Sequence, residues 1–266
     1  MRIFAAPFPA MSKAFSFVLC TLAGAAWADR VVVIGEIHDN PHHHEEQARI
    51  VADLDPDALV FEMLTPAQAA RVTPRLMKDE DGLAAVLNWK DTGWPDFSMY
   101  FPIFAAAPDA LVYGAGVPRD VARAAMKNGV AAVFSGDAAR YGLDRPLAPE
   151  EQAARKARQQ VAHCNALPPE MLPGMVEAQR LRDALLAAQV EAALEVPGPG
   201  PVVVITGNGH ADRDWGAPAL LPPGLDVFVY GQFETAPPQR AHAFDAIAIT
   251  PAVPRDDPCA GLTGSG

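Results

Sequence analysis

The sequence predicts an α/β domain: a mostly parallel central sheet flanked by helices, with a helical insertion or cap over about residues 140–196. Three observations carry this. Short β-branched runs such as VVVI (31–34) and VVVIT (202–206) lack polar alternation, as strands covered on both faces do. Longer helical patterns separate the runs, the order that gives a parallel sheet. Glycine follows several runs directly, at Gly35, Gly114 and Gly207. There the chain can turn sharply off a strand end and approach a ligand closely.

Residues 1–28 are set apart from the domain. From Met11, MSKAFSFVLCTLAGAAWA has a basic start, an apolar core and a small-x-small end at Ala26-Trp27-Ala28, the pattern of a secretory signal cleaved before Asp29. The apolar stretch is short for a spanning helix. Leu19, before Cys20, is bulky where lipoprotein signals carry a small residue. The expected location is the periplasm or the exterior, without a lipid anchor, and residues 29–266 then form one domain. Cys164 and Cys259 remain as an even pair. In an oxidising compartment they are expected to form a disulfide tying the C-terminal tail to a helix.

Strands are expected at residues 30–34, 58–61, 110–113, 130–134, 201–206 and 226–230, with an edge strand at 246–250. A helix over 119–128 begins after Pro118 and ends before Gly129, the usual asymmetry of helix ends. Residues 149–166 and 171–195 read as two long helices with no strand between them, which is why they look like a cap. In the second, Met175, Gln179, Arg182, Leu186 and Val190 recur at helical spacing. VPGPGP (196–201) is a stiff connector back to the sheet, and residues 256–266 read as a polar tail. The formal net charge of -11 gives no basic footprint, so neither nucleic acid nor anionic lipid is an expected partner.

In an open parallel sheet, ligands bind beyond the carboxyl ends of the strands. Two Gly-x-x-His motifs, Gly35 to His38 and Gly207 to His210, stand at such ends, and Glu62 closes the second strand. With Glu36 beside His38, the set can be read in two ways. His38, Glu62 and His210 are an acceptable first shell for zinc or manganese. Without metal, Glu36, His38, Glu62 and His210 can serve as catalytic acid/base groups. The bland alternative is strand-end carboxylates capping helices and satisfying the histidines. Three further histidines, His42, His43 and His44, open the next helix. Neighbours on a helix point about 100° apart, so all three cannot serve one site. His44, with Glu46 and Gln47 following, is the one assigned to cofactor binding, and His42 and His43 are expected to face solvent. The aromatic stretch at 88–104 is read first as core. No HExxH zinc helix, phosphate loop or serine nucleophile elbow is present.

The segments GEIHDNPHHHEEQ, VFEML, WKDTGWPDFSMYFPIF, AHCNALPPE, EAQRLRDALLAAQV and GNGHADRDWGAP follow in order between residues 31 and 218. Together they resemble the ChaN-like haem-binding proteins of the wider Tiki/TraB superfamily. The resemblance implies a periplasmic or membrane-associated protein of haem binding and iron uptake, working with an outer-membrane haem uptake system. It implies haem iron held by a tyrosine, with two haems stacked at a homodimer interface. Of Tyr100, Tyr113, Tyr141 and Tyr230, Tyr141 in AARYGLDRP is the expected ligand, because Tyr113 and Tyr230 fall in predicted strands. The Tiki branch implies instead a metal-dependent peptidase built on the paired motifs and a glutamate. An erythromycin-esterase-like branch implies water activated by the same residues.

Overall fold

Val31–Glu36 forms β1 and is buried along its whole length, because it is the fourth strand of a six-stranded sheet ordered β3-β2-β4-β1-β5-β6. The computed structural model describes residues 31–196, 198, 200–236, 241–256 and 259. The expected signal segment lies outside these residues, as does most of the tail beyond 256. The other strands are β2 (Ala58–Phe61), β3 (Leu111–Gly114), β4 (Val202–Gly207), β5 (Val227–Phe233) and β6 (Ala246–Ile249). Every pairing is parallel, and the register sets Glu36 beside Gly207 and Phe61 beside Ile205.

The strands read as unbroken apolar runs because both faces are covered. Val32, Ile34, Leu59, Phe61, Val203 and Ile205 point to one face. They meet α1 (Pro41–Leu54), α3 (Glu80–Leu87) and α4 (Phe97–Ala106) there. A short α2 (Pro66–Ala69) precedes α3. The aromatic stretch supplies much of this core: Phe104 stacks on Phe61 at 4.3 Å, and Trp89 lies 5.0 Å from the Tyr100 ring. Val31, Val33, Val60, Val202 and Val204 point the other way, onto Leu186, Ala187 and Val190 of α7 (Leu172–Leu194).

Between β3 and β4 the chain makes α5 (Arg119–Asn128), α6 (Pro149–Ala162) and then α7. The helical segment has two layers. α7 packs on β2, β3 and β4, while α6 lies against α7 and buries none of its residues. The run at 130–134, expected as a strand, is not one. Gly129, at φ 86°, ends α5, and Val130–Ala132 makes a single 3-10 turn. Its backbone turns to α7: the Val130 N–H donates to Glu177 at 2.9 Å, and Val130 and Phe134 bury against Leu181 and Ala184. A short apolar run can be satisfied by a helix as well as by a sheet.

Cys164, just past α6, is disulfide-bonded to Cys259, as the cysteine count predicted. Arg255 anchors the same C-terminal segment by pairing with Asp39 at 2.8 Å and Glu234 at 2.7 Å. Among the described residues no helix is long and apolar enough to cross a membrane. A four-residue α8 (Asn208–Ala211) leaves β4 at once.

Candidate functional site

Parallel pairing of β1 and β4 brings the two Gly-x-x-His motifs side by side at the carboxyl edge, between strands whose connections leave in opposite directions. This is the switch point at which open α/β sheets bind ligands. Both glycines are required by close approach. A side chain on Gly35 would run into Asn208 and Ala211, and a Cβ on Gly207 would lie 2.9 Å from His38 Nε2 and 3.7 Å from Glu62 Oε2. The bare backbone at Gly207 lets His38 and Glu62 close on the same point.

Glu36, the last residue of β1, is buried and saturated with donors. Its Oε1 accepts from His38 Nδ1 at 2.7 Å and from the Tyr100 hydroxyl at 3.0 Å, and its Oε2 accepts from Gln47 Nε2 at 2.7 Å. The carboxylate fixes the His38 tautomer, since Nδ1 has to be the donor. Nε2 then has no hydrogen-bond partner among the described residues. Burial works against a charge on His38, but the Glu36 hydrogen bond and the fields of Glu62, Glu36 and Asp39 outweigh it, raising its pKa to about 8. Trp94 meets the imidazole edge-on at 4.8 Å.

His210 is enclosed. Its Nδ1 lies 2.6 Å from Asp183 Oδ1 and 3.0 Å from Gln179 Nε2, both on α7, and its Nε2 is 3.5 Å from Glu62 Oε1. Burial disfavours the imidazolium, yet the flanking Glu62 and Asp183 carboxylates raise its pKa. Glu62 accepts from Thr206 Oγ1 at 2.6 Å and from the Gly207 N–H at 2.8 Å. Burial alone would push its pKa up. His210 and His38, with those two donors, hold it down at about 2.

The structure thus joins Glu36, His38, Glu62 and His210 in one polar chain at the strand ends. It does not form the expected metal shell: among the described residues no three His, Cys, Asp or Glu are grouped to hold an ion. Each imidazole is braced by its own carboxylate on Nδ1, and Glu62 is already engaged by Thr206 and Gly207.

His44 lies behind Glu36. It is buried, with Nε2 donating to the His38 carbonyl at 2.8 Å and its ring 4.2 Å from Tyr100. His43, expected in solvent, is fully buried. Its Nδ1 accepts from the Ile37 N–H at 2.9 Å, and its Nε2 reaches Thr250 Oγ1 at 2.8 Å. The cause is the helix start: Asn40 caps α1 by accepting from the His42 N–H at 2.9 Å, which turns His43 inward and leaves His42 outside.

Tyr141 is not brought to this cluster. It packs against Phe134 at 5.4 Å, and its hydroxyl bonds Glu191. Glu191 lies eight residues past Asp183 on α7, about 12 Å along the helix axis. Asp183 and Gln179 completed the site without being singled out as site residues. The available signal was an acidic residue on a helix stripe otherwise filled by Leu181, Ala184, Leu186 and Ala187, four residues after Gln179.

Two clefts open on either side of the chain of carboxylates and imidazoles. One, of about 480 Å³, lies beneath α6 and is lined by His38, Arg155, Arg158, His163, Gln179 and Trp215. The other, of about 730 Å³, lies beyond β2 and β3, with Glu62 and Trp94 in its wall.

A family model described as haem-binding uptake, Tiki superfamily, ChaN matches residues 22–221. A solved structure of cofacial haem binding to ChaN of Campylobacter jejuni is similar at 18% identity with a TM-score of 0.54, covering 77% of this chain and 81% of that one. The type III effector HopBA1 is similar at 16% identity and a TM-score of 0.46, covering 87% of this chain and 93% of that one. No curated protein matches. The first structural likeness agrees with the parallel α/β fold described above.

Proposed function

Since the chain belongs to the ChaN haem-binding uptake family of the Tiki superfamily, we propose that it binds haem in the cleft beneath α6, with His38 as an iron ligand. The observation that carries this is the state of His38. Glu36 holds its Nδ1 at 2.7 Å, while Nε2 has no hydrogen-bond partner among the described residues, in a site that opens on a cleft of about 480 Å³. A carboxylate behind the imidazole orients it and makes it a better ligand, with iron displacing the Nε2 proton that a pKa of about 8 retains at lower pH. His163, whose Nδ1 donates to the Gln159 carbonyl at 2.8 Å, offers a second Nε2 from the roof. Arg155 and Arg158, paired with Glu151 and Asp212, flank Trp215 at 5.5 and 5.8 Å, a largely apolar wall suited to a porphyrin face.

The alternative ligands fit less well. Burial raises the Tyr141 hydroxyl, and Glu191 beside it adds to the effect, which disfavours the tyrosinate. Tyr100 is likewise raised by burial and by Glu36, and both nitrogens of His44 face the interior. Hemin titration followed in the visible decides among them. His38→Ala is expected to weaken binding by about tenfold or more, the scale of one lost metal ligand or its bracing partner, while Tyr141→Phe leaves the spectrum unchanged. Loss of the spectrum in Tyr141→Phe alone would place the iron on that tyrosine. A haem-uptake role also requires export. N-terminal sequencing of the secreted chain should begin at Asp29, and a homodimer would appear in light scattering on adding hemin.

A second reading rests on a separate observation: two imidazoles, each braced by a carboxylate on Nδ1, flank Glu62. This is the layout of a general-base site. Among the described residues no three ligating side chains are grouped as a first shell, so the proposed form is hydrolysis with His38 as base toward water and Glu36 as its positioning partner. Ester and peptide turnover that survives chelator and disappears in both His38→Ala and His210→Ala supports it. Turnover untouched by either change overturns it.

A further inference from the structure

The larger cleft, of about 730 Å³, has a composition that neither reading uses. Arg71, Arg119 and Arg182 all line it, and among the described residues none of the three guanidinium groups has an ion pair or hydrogen bond. Elsewhere on this acidic chain, most of the described arginines are matched, Arg75 and Arg123 excepted. Arg49 pairs with Glu46, Arg140 with Glu191, Arg158 with Asp212 and Arg255 with Asp39. With a formal net charge of -11, carboxylate partners are abundant. Three uncompensated arginines at one concavity are therefore a concentration of positive charge, focused by low-dielectric walls.

The three come from separate elements: Arg71 from just beyond α2, Arg119 from the first turn of α5 and Arg182 from α7. The amino end of α5 also faces the cleft through Pro118 and has no side-chain cap, so its free N–H groups add to the field. Two acids touch the space. Glu62 is held at the rear by Thr206, Gly207 and His210, and Asp91 stands at the rim. Trp94 provides an apolar wall.

We propose that this cleft binds a small polyanion, carrying carboxylate or phosphoryl groups, clamped by Arg71, Arg119 and Arg182 with Trp94 alongside. Guanidinium forks match both oxyanions bidentately. The ligand is distinct from haem in the α6 cleft, and the inference does not depend on that reading. Such a ligand would lie against Glu62, at the mouth of the buried His210 pair.

Calorimetric titration of the whole chain, in a buffer free of phosphate and at low salt, with inorganic pyrophosphate and separately with citrate tests this. Binding of pyrophosphate alone identifies phosphoryl groups; citrate alone identifies polycarboxylates; both indicate a general oxyanion clamp. In each case Arg119→Gln combined with Arg182→Gln should weaken binding by about tenfold or more, as loss of charged hydrogen bonds does. The melting temperature should hold, since Arg119 is exposed and Arg182 half-buried. Failure of both anions to bind, or binding that the double variant does not weaken, overturns the proposal. Loss of hemin rather than pyrophosphate binding in that variant also overturns it, by assigning the arginines to haem propionates. Loss of hemin binding in His38→Ala with pyrophosphate binding kept would instead separate the two sites.

Discussion

The two Gly-x-x-His motifs share a spacing and end neighbouring strands, yet they live in different surroundings. The His38 side chain is 33% exposed and is braced by Glu36, two residues earlier on its own strand. The His210 side chain is 9% exposed, and its two carboxylates arrive from α7 and β2, 27 and 148 positions away in sequence. The motif fixes where an imidazole stands, and tertiary packing decides what it can do there. One half is a reachable group whose Nε2 has no hydrogen-bond partner among the described residues. The other is a closed charge network whose integrity supports the sheet end.

Breaking the closed half should cost most. Glu62→Gln removes the carboxylate that faces both histidines and leaves His210 with one charged partner. Breaking a buried pair from one side costs about 3–5 kcal/mol, so urea unfolding should show a loss near the middle of that range. A loss below about 1 kcal/mol, the scale of an exposed pair, would mean that the network is solvated and the contrast with His38 is false. The pH signature has a defined sign. Glu62 is depressed to about 2 from an ordinary 4.5, so its stabilisation is present above 4.5 and fades as pH falls through 2. The variant should lack that acid limb.

The next effect concerns the roof of the open half. The Cys164–Cys259 link closes a loop with a sequence separation of 95 just past α6. Chain-entropy arguments give roughly 2–4 kcal/mol for such a link, at the upper end for long loops. Cys164→Ser with Cys259→Ser should lower the urea midpoint accordingly. It should also weaken hemin binding beneath α6 while leaving pyrophosphate binding in the other cleft unchanged. Equal weakening in both clefts would show that α6 is coupled to the whole sheet edge.

How legible each half was follows the same division. The strands showed themselves through uninterrupted β-branched runs, and the site's location through glycines at their ends, because both are local consequences of a sheet covered on two faces. Glu36 was legible beside His38. Asp183 was not, because its role depends on which face of a 23-residue helix meets a strand end that the sequence reaches 24 residues later. The run at 130–134 misled for a related reason: apolar character declares burial, and the partner, here α7, is a tertiary fact. His43 misled because the Asn40 cap sets the rotation of α1, and one residue of rotation exchanges an exposed histidine for a buried one.

A smaller change separates bracing from ligation. Tyr100→Phe removes one donor to Glu36 and keeps the ring on which His44 rests. A hydrogen bond to a buried charge is worth about 1.5–3 kcal/mol. Gln47 and His38 still serve the carboxylate, so a loss at the lower end is expected by urea unfolding. Tyr100 also withdraws electron density from Glu36, and without it the His38 pKa, followed by NMR, should rise above its present value of about 8. An unchanged titration would mean that the Tyr100 hydroxyl has no influence on the Glu36–His38 pair.

The smallest effect sets His38 against His43, five residues apart. His38 is raised from 6.5 to about 8, so its stabilisation is complete below 6.5 and is lost as pH climbs through 8. The shift corresponds to at most about 2 kcal/mol, and exposure of the side chain reduces this to about 1. His43 is lowered from 6.5 to about 4 by burial, with the neighbouring His44 and His42 acting in the same direction against Glu36 and Glu234. The folded state therefore resists its protonation, and stability falls as pH drops from 6.5 toward 4. The two slopes oppose each other and put a stability maximum near pH 6.5 in this pair's contribution. His43→Gln should flatten the limb between pH 6.5 and 5, above the range where carboxylates titrate. His38→Gln should flatten only part of the alkaline limb, because His210, raised by its own carboxylates, loses its proton on the same side. An alkaline limb that vanishes completely in His38→Gln would show that the buried half does not titrate with the fold, and would leave the open motif as the sole pH-responsive member of the pair.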